Sequence, residues 1–181
     1  PADKILDLPD APRWFRVAGK RANAPAPLCE GSWFQTDDGI IHMLHRSGTP
    51  KLWLSESRDD GATWSYPVET DFSDNQTKFH FGRLPDGRFY YVGCPDPDRT
   101  KGRTQRRSLV LSLSTNGAVF DRHFIIADTA TPYEMKKRGI HKGGEYGYPH
   151  TMIHENRLYV VISRKKEAVE VIRFDLNTIG E

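Results

Sequence analysis

Ser57-Arg58-Asp59-Asp60-Gly61-Ala62-Thr63-Trp64 reads as a closed polar turn. The Ser57 hydroxyl and Asp59 carboxylate can satisfy backbone N–H groups that a sharp bend strips of partners, Gly61 permits the bend, and Trp64 is expected to plug the space between sheets. On either side the chain is extended: 51–57 and 65–70 alternate in polarity or carry β-branched residues. Upstream, EGSWFQTDDGIIHMLHR at 30–46 forms two apolar strands meeting at Asp38-Gly39, a dipeptide that tolerates φ > 0. The same hairpin returns as KFHFGRLPDGRFYYVG at 78–93, turning at Asp86-Gly87, and as GYPHTMIHENRLYVVISR at 147–164, turning at Glu155-Asn156. Third strands follow at 108–114 and 168–175, and a fourth at 120–127.

A four-stranded antiparallel meander of about 50 residues is the blade of a β-propeller. The expected fold is therefore all-β, with about three such blades of a presumed six-bladed ring. The expected divisions are 1–26, a connector in which 14–17 forms the last strand of a preceding blade; 27–72, the blade with the polar turn; 73–130, a blade with a long arginine-rich loop and a weakened turn at Ser114-Thr115-Asn116-Gly117, with Phe120 in the Trp role; and 131–181, a last blade of three strands. The segment 133–138 is the one place where a turn of helix is expected. Closed propellers carry roughly four to eight blades, so three would leave apolar sheet faces open. The chain accordingly reads as the C-terminal half of a longer protein, with a self-associating domain or a compact sandwich as the alternatives.

Composition narrows the function. In 181 residues, 26 Lys and Arg face 24 Asp and Glu, a net charge of +2 that marks neither a nucleic-acid nor a membrane surface. The sequence shows no apolar run of membrane-spanning length and no signal-peptide pattern at its start. Cys29 and Cys94 cannot build a disulfide framework, and the histidines at 42, 45, 123, 141, 150 and 154 lack metal-ligand spacing on one face, so neither a metal nor a cofactor is expected.

Strand direction locates a site. If the first strand of each blade descends from one face, the hairpin turns and the 57–64 turn lie on the floor, and the opposite rim collects the starts of first strands and the ends of second strands. Counting back from the hairpin turns puts Glu30, Lys78 and Tyr148 at equivalent rim positions, and Glu30 and Arg46 flank Asp38 at eight residues each as cross-strand neighbours. The loop CPDPDRTKGRTQRR at 94–107 opens on the same face and brings Arg99, Arg103, Arg106 and Arg107. The tract 141–146, HKGGEY, leads to Tyr148 and is expected to shape the pocket.

The 57–64 turn fits SxDxGxTW at every defined position, Ser57, Asp59, Gly61, Thr63 and Trp64, and resembles the Asp-box of sialidase-type propellers. LCEGSWFQTDDGIIHMLHR, LPDGRFYYVGCPDP, RSLVLSLSTNGAVFDR and YGYPHTMIHENRLYVVISRKKEAVEVIRFDL resemble the second half of bacterial exo-sialidase-like proteins with BNR repeats, over nearly all of 13–176. The resemblance implies a retaining glycoside hydrolase acting on an acidic, 2-keto-acid sugar or glycan, in a secreted or periplasmic bacterial setting. It also implies roles: Tyr148 as nucleophile, Glu30 as its base, and Arg46 with Arg106 or Arg107 as carboxylate-binding arginines; Lys78, by its rim position, is a further candidate substrate-binding residue. The chemistry suits these types. A neutral phenol activated by a carboxylate attacks an anionic sugar at less electrostatic cost than a carboxylate would, and arginine forks bind carboxylates in bidentate fashion. The family's first arginine and its Asp acid/base have no counterpart in this sequence, so the chain alone is expected to be inactive, with the missing N-terminal half as its partner.

Each assignment has a plainer alternative. Glu30 and Arg46 suit an ordinary cross-strand ion pair, Tyr148 suits a packing aromatic, Tyr146 is a rival nucleophile, and Lys78 and His80 are more often rim residues than catalysts. The alternative function is a non-catalytic carbohydrate-binding or scaffold propeller, and a third class is a protein-interaction module.

Overall fold

The computed structural model describes residues 6–7, 14–15, 28–95, 106–128 and 133–179. Most of the 1–26 connector and the loop residues Arg99 and Arg103 lie outside that set. Two short strands, β1 (Leu6–Asp7) and β2 (Trp14–Phe15), precede the first sheet, in which β3 (Cys29–Gln35), β4 (Ile41–Arg46), β5 (Lys51–Ser57) and β6 (Val68–Ser73) pair in sequence order. The second sheet runs β7 (His80–Arg83), β8 (Phe89–Gly93), β9 (Leu109–Ser114) and β11 (Arg122–Ala127), with β1 added at its outer edge. The third is β12 (Tyr146–His154), β13 (Arg157–Arg164) and β14 (Ala168–Asp175). All pairs are antiparallel, so these are three propeller blades in succession.

Side-chain alternation produces two cores. In β8, Tyr91 faces the first sheet and joins Phe34, Leu44, Phe72, Phe81 and Phe120, while Tyr90 and Val92 face the third and join Leu111, Leu158, Val160 and Ile162. The first core is aromatic, with Phe72–Tyr91 centroids at 4.8 Å and Phe81–Phe120 at 5.5 Å. All six residues of β9 are buried, as expected of a strand covered on both faces.

The turns behave largely as their residues require. Glu155 and Asn156 both take left-handed backbones, φ 46° and 59°, the combination a tight two-residue hairpin needs. In the 57–64 turn, Ser57 Oγ accepts from Gly61 N at 2.9 Å, Asp59 accepts from Thr63 N at 2.8 Å and from its hydroxyl at 2.6 Å, and Trp64 Nε1 donates to Gly61 O at 3.0 Å. That last bond folds the indole over its own turn. Trp64 is 40% exposed and does not plug an inter-sheet gap, whereas Phe120, after the weaker Ser114 turn, is 1% exposed and does.

Trp14–Phe15 pairs with β10 (Val119–Phe120), the short strand between the second blade's turn and its last strand. One other expectation is corrected. Residues 133–138 form no helix, because the Glu167 carboxylate accepts from Lys136 N and Lys137 N at 2.8 Å each and takes the donors a helical turn would need in register. Among the described residues there is no α-helix, only a 3₁₀ turn at Leu176–Thr178.

Candidate active site

Two first strands carry the same irregularity at the same height. The β3–β4 ladder jumps from Cys29↔Arg46 to Ser32↔Leu44, and the β12–β13 ladder from Gly147↔Ser163 to His150↔Val161. Each is a one-residue bulge, the device that re-aims a side chain at a sheet margin. The residues so turned are Glu30 and Tyr148, with left-handed φ of 50° and 56°. A non-glycine residue pays about 1–2 kcal/mol for that conformation, so both positions are held against a local preference.

The bulge shifts the direct partner of Arg46 to Cys29, yet Arg46 Nη1 still reaches Glu30 Oε2 at 2.5 Å. Burial works against the Arg46 charge, but the hydrogen bond and charge of Glu30, with smaller help from Cys29 and a Tyr148 side-chain hydrogen bond, raise its pKa above the usual arginine value. Arg46 is therefore bonded to the acid and electrostatically coupled to the phenol. Among the described residues Glu30 bonds to Arg46, and no hydrogen bond joins it to Tyr148.

Of the two loop arginines, Arg106 points inward and Arg107 is exposed. Arg106 Nη2 donates to Gln76 O at 2.7 Å, its carbonyl accepts from Tyr146 N at 3.1 Å, and its buried Nε has no hydrogen-bond partner. Burial lowers its pKa, and it lies within electrostatic reach of Arg46, Tyr148 and Glu30. Gly144 makes room for it, since a Cβ there would fall 2.6 Å from Arg106 Cδ. Tyr146, the rival phenol, is 3% exposed, donates its hydroxyl to Asp128 O and is pushed up to about 12, mainly by burial. Tyr148 is 38% exposed. Lys78 is half-buried ahead of β7, where its charge acts on His80.

Comparison places this arrangement among known proteins. The sequence profile of the BNR repeat-like domain matches residues 6–160. The chain belongs to the BNR repeat-like family. No curated protein sequence matches it significantly. A mutant NanB sialidase from Streptococcus pneumoniae superposes with a TM-score of 0.59 at 20% identity, over 86% of this chain and 25% of that one. An α-L-arabinofuranosidase from Fusarium graminearum, in complex with an iminosugar inhibitor, gives 0.52 at 13% identity over 90% and 50%, and an α-L-arabinanase from Penicillium chrysogenum, complexed with arabinobiose, gives 0.52 at 14% over 93% and 50%. The fold is thus that of the sialidase-type propellers, and the chain spans a quarter to a half of the length of these glycosidase relatives.

Counting along the BNR repeat-like strands misses three parts of the rim. Lys166, in the β13–β14 turn, sits over the Tyr148 ring with Nζ 5.5 Å from its centroid. Its signal was present, because that turn opens on the same face as the arginine-rich loop. Gln76 supplies the carbonyl that anchors Arg106, which nothing in its residue type announces. Glu145 is buried and holds Arg164 Nε at 2.9 Å, Lys165 Nζ at 3.3 Å and Tyr133 N at 2.7 Å, bracing the chain as it enters the Tyr148 bulge.

Proposed function

We propose that Glu30, Arg46, Arg106 and Tyr148 form the carboxylate-facing part of a glycosidase site for an acidic, 2-keto-acid sugar. What carries this reading is the convergence of two arginines, a carboxylate and a half-exposed phenol from two sheets and a loop, two of them held on strained bulges. Guanidinium groups that repel each other while partly desolvated favour an arriving anion.

In the resting site Glu30 occupies the Arg46 fork. A substrate carboxylate that takes over Arg46 and Arg106 would release Glu30 to accept the Tyr148 proton. The phenolate oxygen then bonds to the anomeric carbon as the bond to the aglycone oxygen breaks, and water displaces the tyrosyl link in a second step with net retention. Protonation of the leaving group and a further arginine are not supplied by these residues. We assign them to additional blades of the same propeller, and the isolated chain is expected to bind without turning over.

The test uses the full-length gene product and a fluorogenic sialoside or ulosonate. Tyr148→Phe and Glu30→Gln should each lower kcat by roughly 10²–10⁴-fold. Unchanged turnover in both variants would remove the assigned roles. A second reading, a sugar-binding propeller without catalysis, is favoured by one observation: the Glu30 carboxylate is bonded to Arg46, and no hydrogen bond joins it to the phenol it should activate. Saturable binding of an acidic sugar with no turnover in the full-length protein would select that reading.

A further inference from the structure

One rung below the rim lies a pair of histidines that the mechanism does not use. Ser32, His80 and His150 each stand four residues ahead of the pair that closes their hairpin, Thr36/Ile40, Leu84/Arg88 and His154/Arg157, so they share one height in three consecutive blades. The His80 and His150 rings lie against each other with centroids 4.3 Å apart at 52°. Behind them, His80 Nδ1 is 2.5 Å from Thr151 Oγ1, and Thr151 Oγ1 is 2.7 Å from the Tyr90 hydroxyl.

Proton counting fixes the direction of this chain. Tyr90 is buried and Thr151 is its one hydrogen-bond partner among the described residues, so the phenol donates to Thr151. The single Thr151 proton is then left for His80 Nδ1, which accepts. His80 is held as the neutral tautomer with its proton on Nε2, and that atom has no partner among the described residues. Its neutrality agrees with a pKa lowered to about 4 by burial, with the nearby charges of His150 and Lys78 acting in the same direction. His80 is thus a neutral hydrogen-bond donor and not a cationic anchor for an anion.

We propose that His80, tautomerically fixed by the Thr151–Tyr90 relay and backed by His150, is a specificity-determining donor that offers Nε2–H to a neutral oxygen on the sugar, a ring hydroxyl or an acyl carbonyl. This rests on the sugar-site reading above and deepens it: the arginines select the carboxylate, and the histidine level selects what the ring carries beneath it.

The experiment is calorimetric titration of the full-length protein with an acidic monosaccharide and its set of singly deoxygenated or deacylated analogues, in wild type, His80→Leu, His80→Gln and Arg46→Met. His80→Leu is expected to weaken the parent sugar roughly fivefold to tenfold, the worth of one neutral hydrogen bond, and to leave one analogue unaffected. His80→Gln, whose amide N–H replaces Nε2–H, should recover most of the loss. Uniform weakening across all analogues, or none, overturns the proposal. Nitrogen-15 NMR of the histidines supplies a readout independent of ligand: wild type should show His80 with Nε2 protonated, and Thr151→Val should mix the tautomers while Thr151→Ser does not. A wild-type His80 protonated at Nδ1 overturns the proposal whatever the binding data. The underlying sugar-site reading fails separately, by Arg46→Met binding every carboxylate sugar as wild type does.

Discussion

Replacing Arg46 by Met separates a binding role from a merely structural one. In the folded chain the Arg46–Glu30 contact is 2.5 Å, and the two side chains are 22% and 27% exposed. A pair so wetted contributes at most about 1 kcal/mol to folding. Its removal also relieves the repulsion between Arg46 and Arg106, which disfavours the charge on Arg106. The methionine keeps most of the apolar stem. The net change in folding free energy should therefore stay within about 1 kcal/mol of zero. Binding responds differently. A carboxylate bound by a guanidinium fork loses on the order of 1.5–3 kcal/mol per charged hydrogen bond, or roughly tenfold to 150-fold in Kd for one. Urea unfolding gives the first number and calorimetric titration with a free sialic or ulosonic acid gives the second, both on the full-length protein. A variant destabilised by more than about 2 kcal/mol that still binds the acid normally would refute the reasoning and leave Arg46 a structural residue.

Gly144→Ala places a methyl 2.6 Å from Arg106 Cδ and 3.0 Å from its Cβ, so the arginine must move; affinity for the acidic sugar should fall while the urea midpoint changes little, and calorimetry beside unfolding checks both. Phe81→Ala empties the centre of the aromatic core, where Phe81 is 2% exposed, and should cost about 3–5 kcal/mol in equilibrium unfolding. His80 has a folded-state pKa of about 4, below its ordinary 6.5, so as pH falls the unfolded chain takes up the proton first. Stability should therefore drop between about pH 6.5 and pH 4, by on the order of 1–2 kcal/mol after allowing for the ring's partial exposure, and urea midpoints should show a shallower drop in His80→Gln than in wild type.

The hairpins were legible because alternation and Asp-Gly turns are local properties, and residue counting from those turns reached Glu30 and Tyr148 at matching heights. The bulges were not legible. Neither Glu nor Tyr favours a left-handed backbone, and the conformation is imposed by pairing across the sheet. The choice between Arg106 and Arg107 depended on a carbonyl at Gln76 and a space at Gly144, both remote in sequence. The helical turn expected at 133–138 failed for a like reason, since Glu167 is about thirty residues further on. Trp64 departs from expectation because its indole N–H finds a carbonyl within its own turn, a contact that draws the ring back from the gap between the sheets.

Neighbouring tyrosines in β8 send their rings to opposite sides, one into each core. The middle sheet is thus a party wall, and neither adjoining compartment can be dismantled without stripping plaster from the other. The three sheets should accordingly melt as a single event, and a chain cut between the second and third would lose one whole side of the apolar lining its central strands depend on.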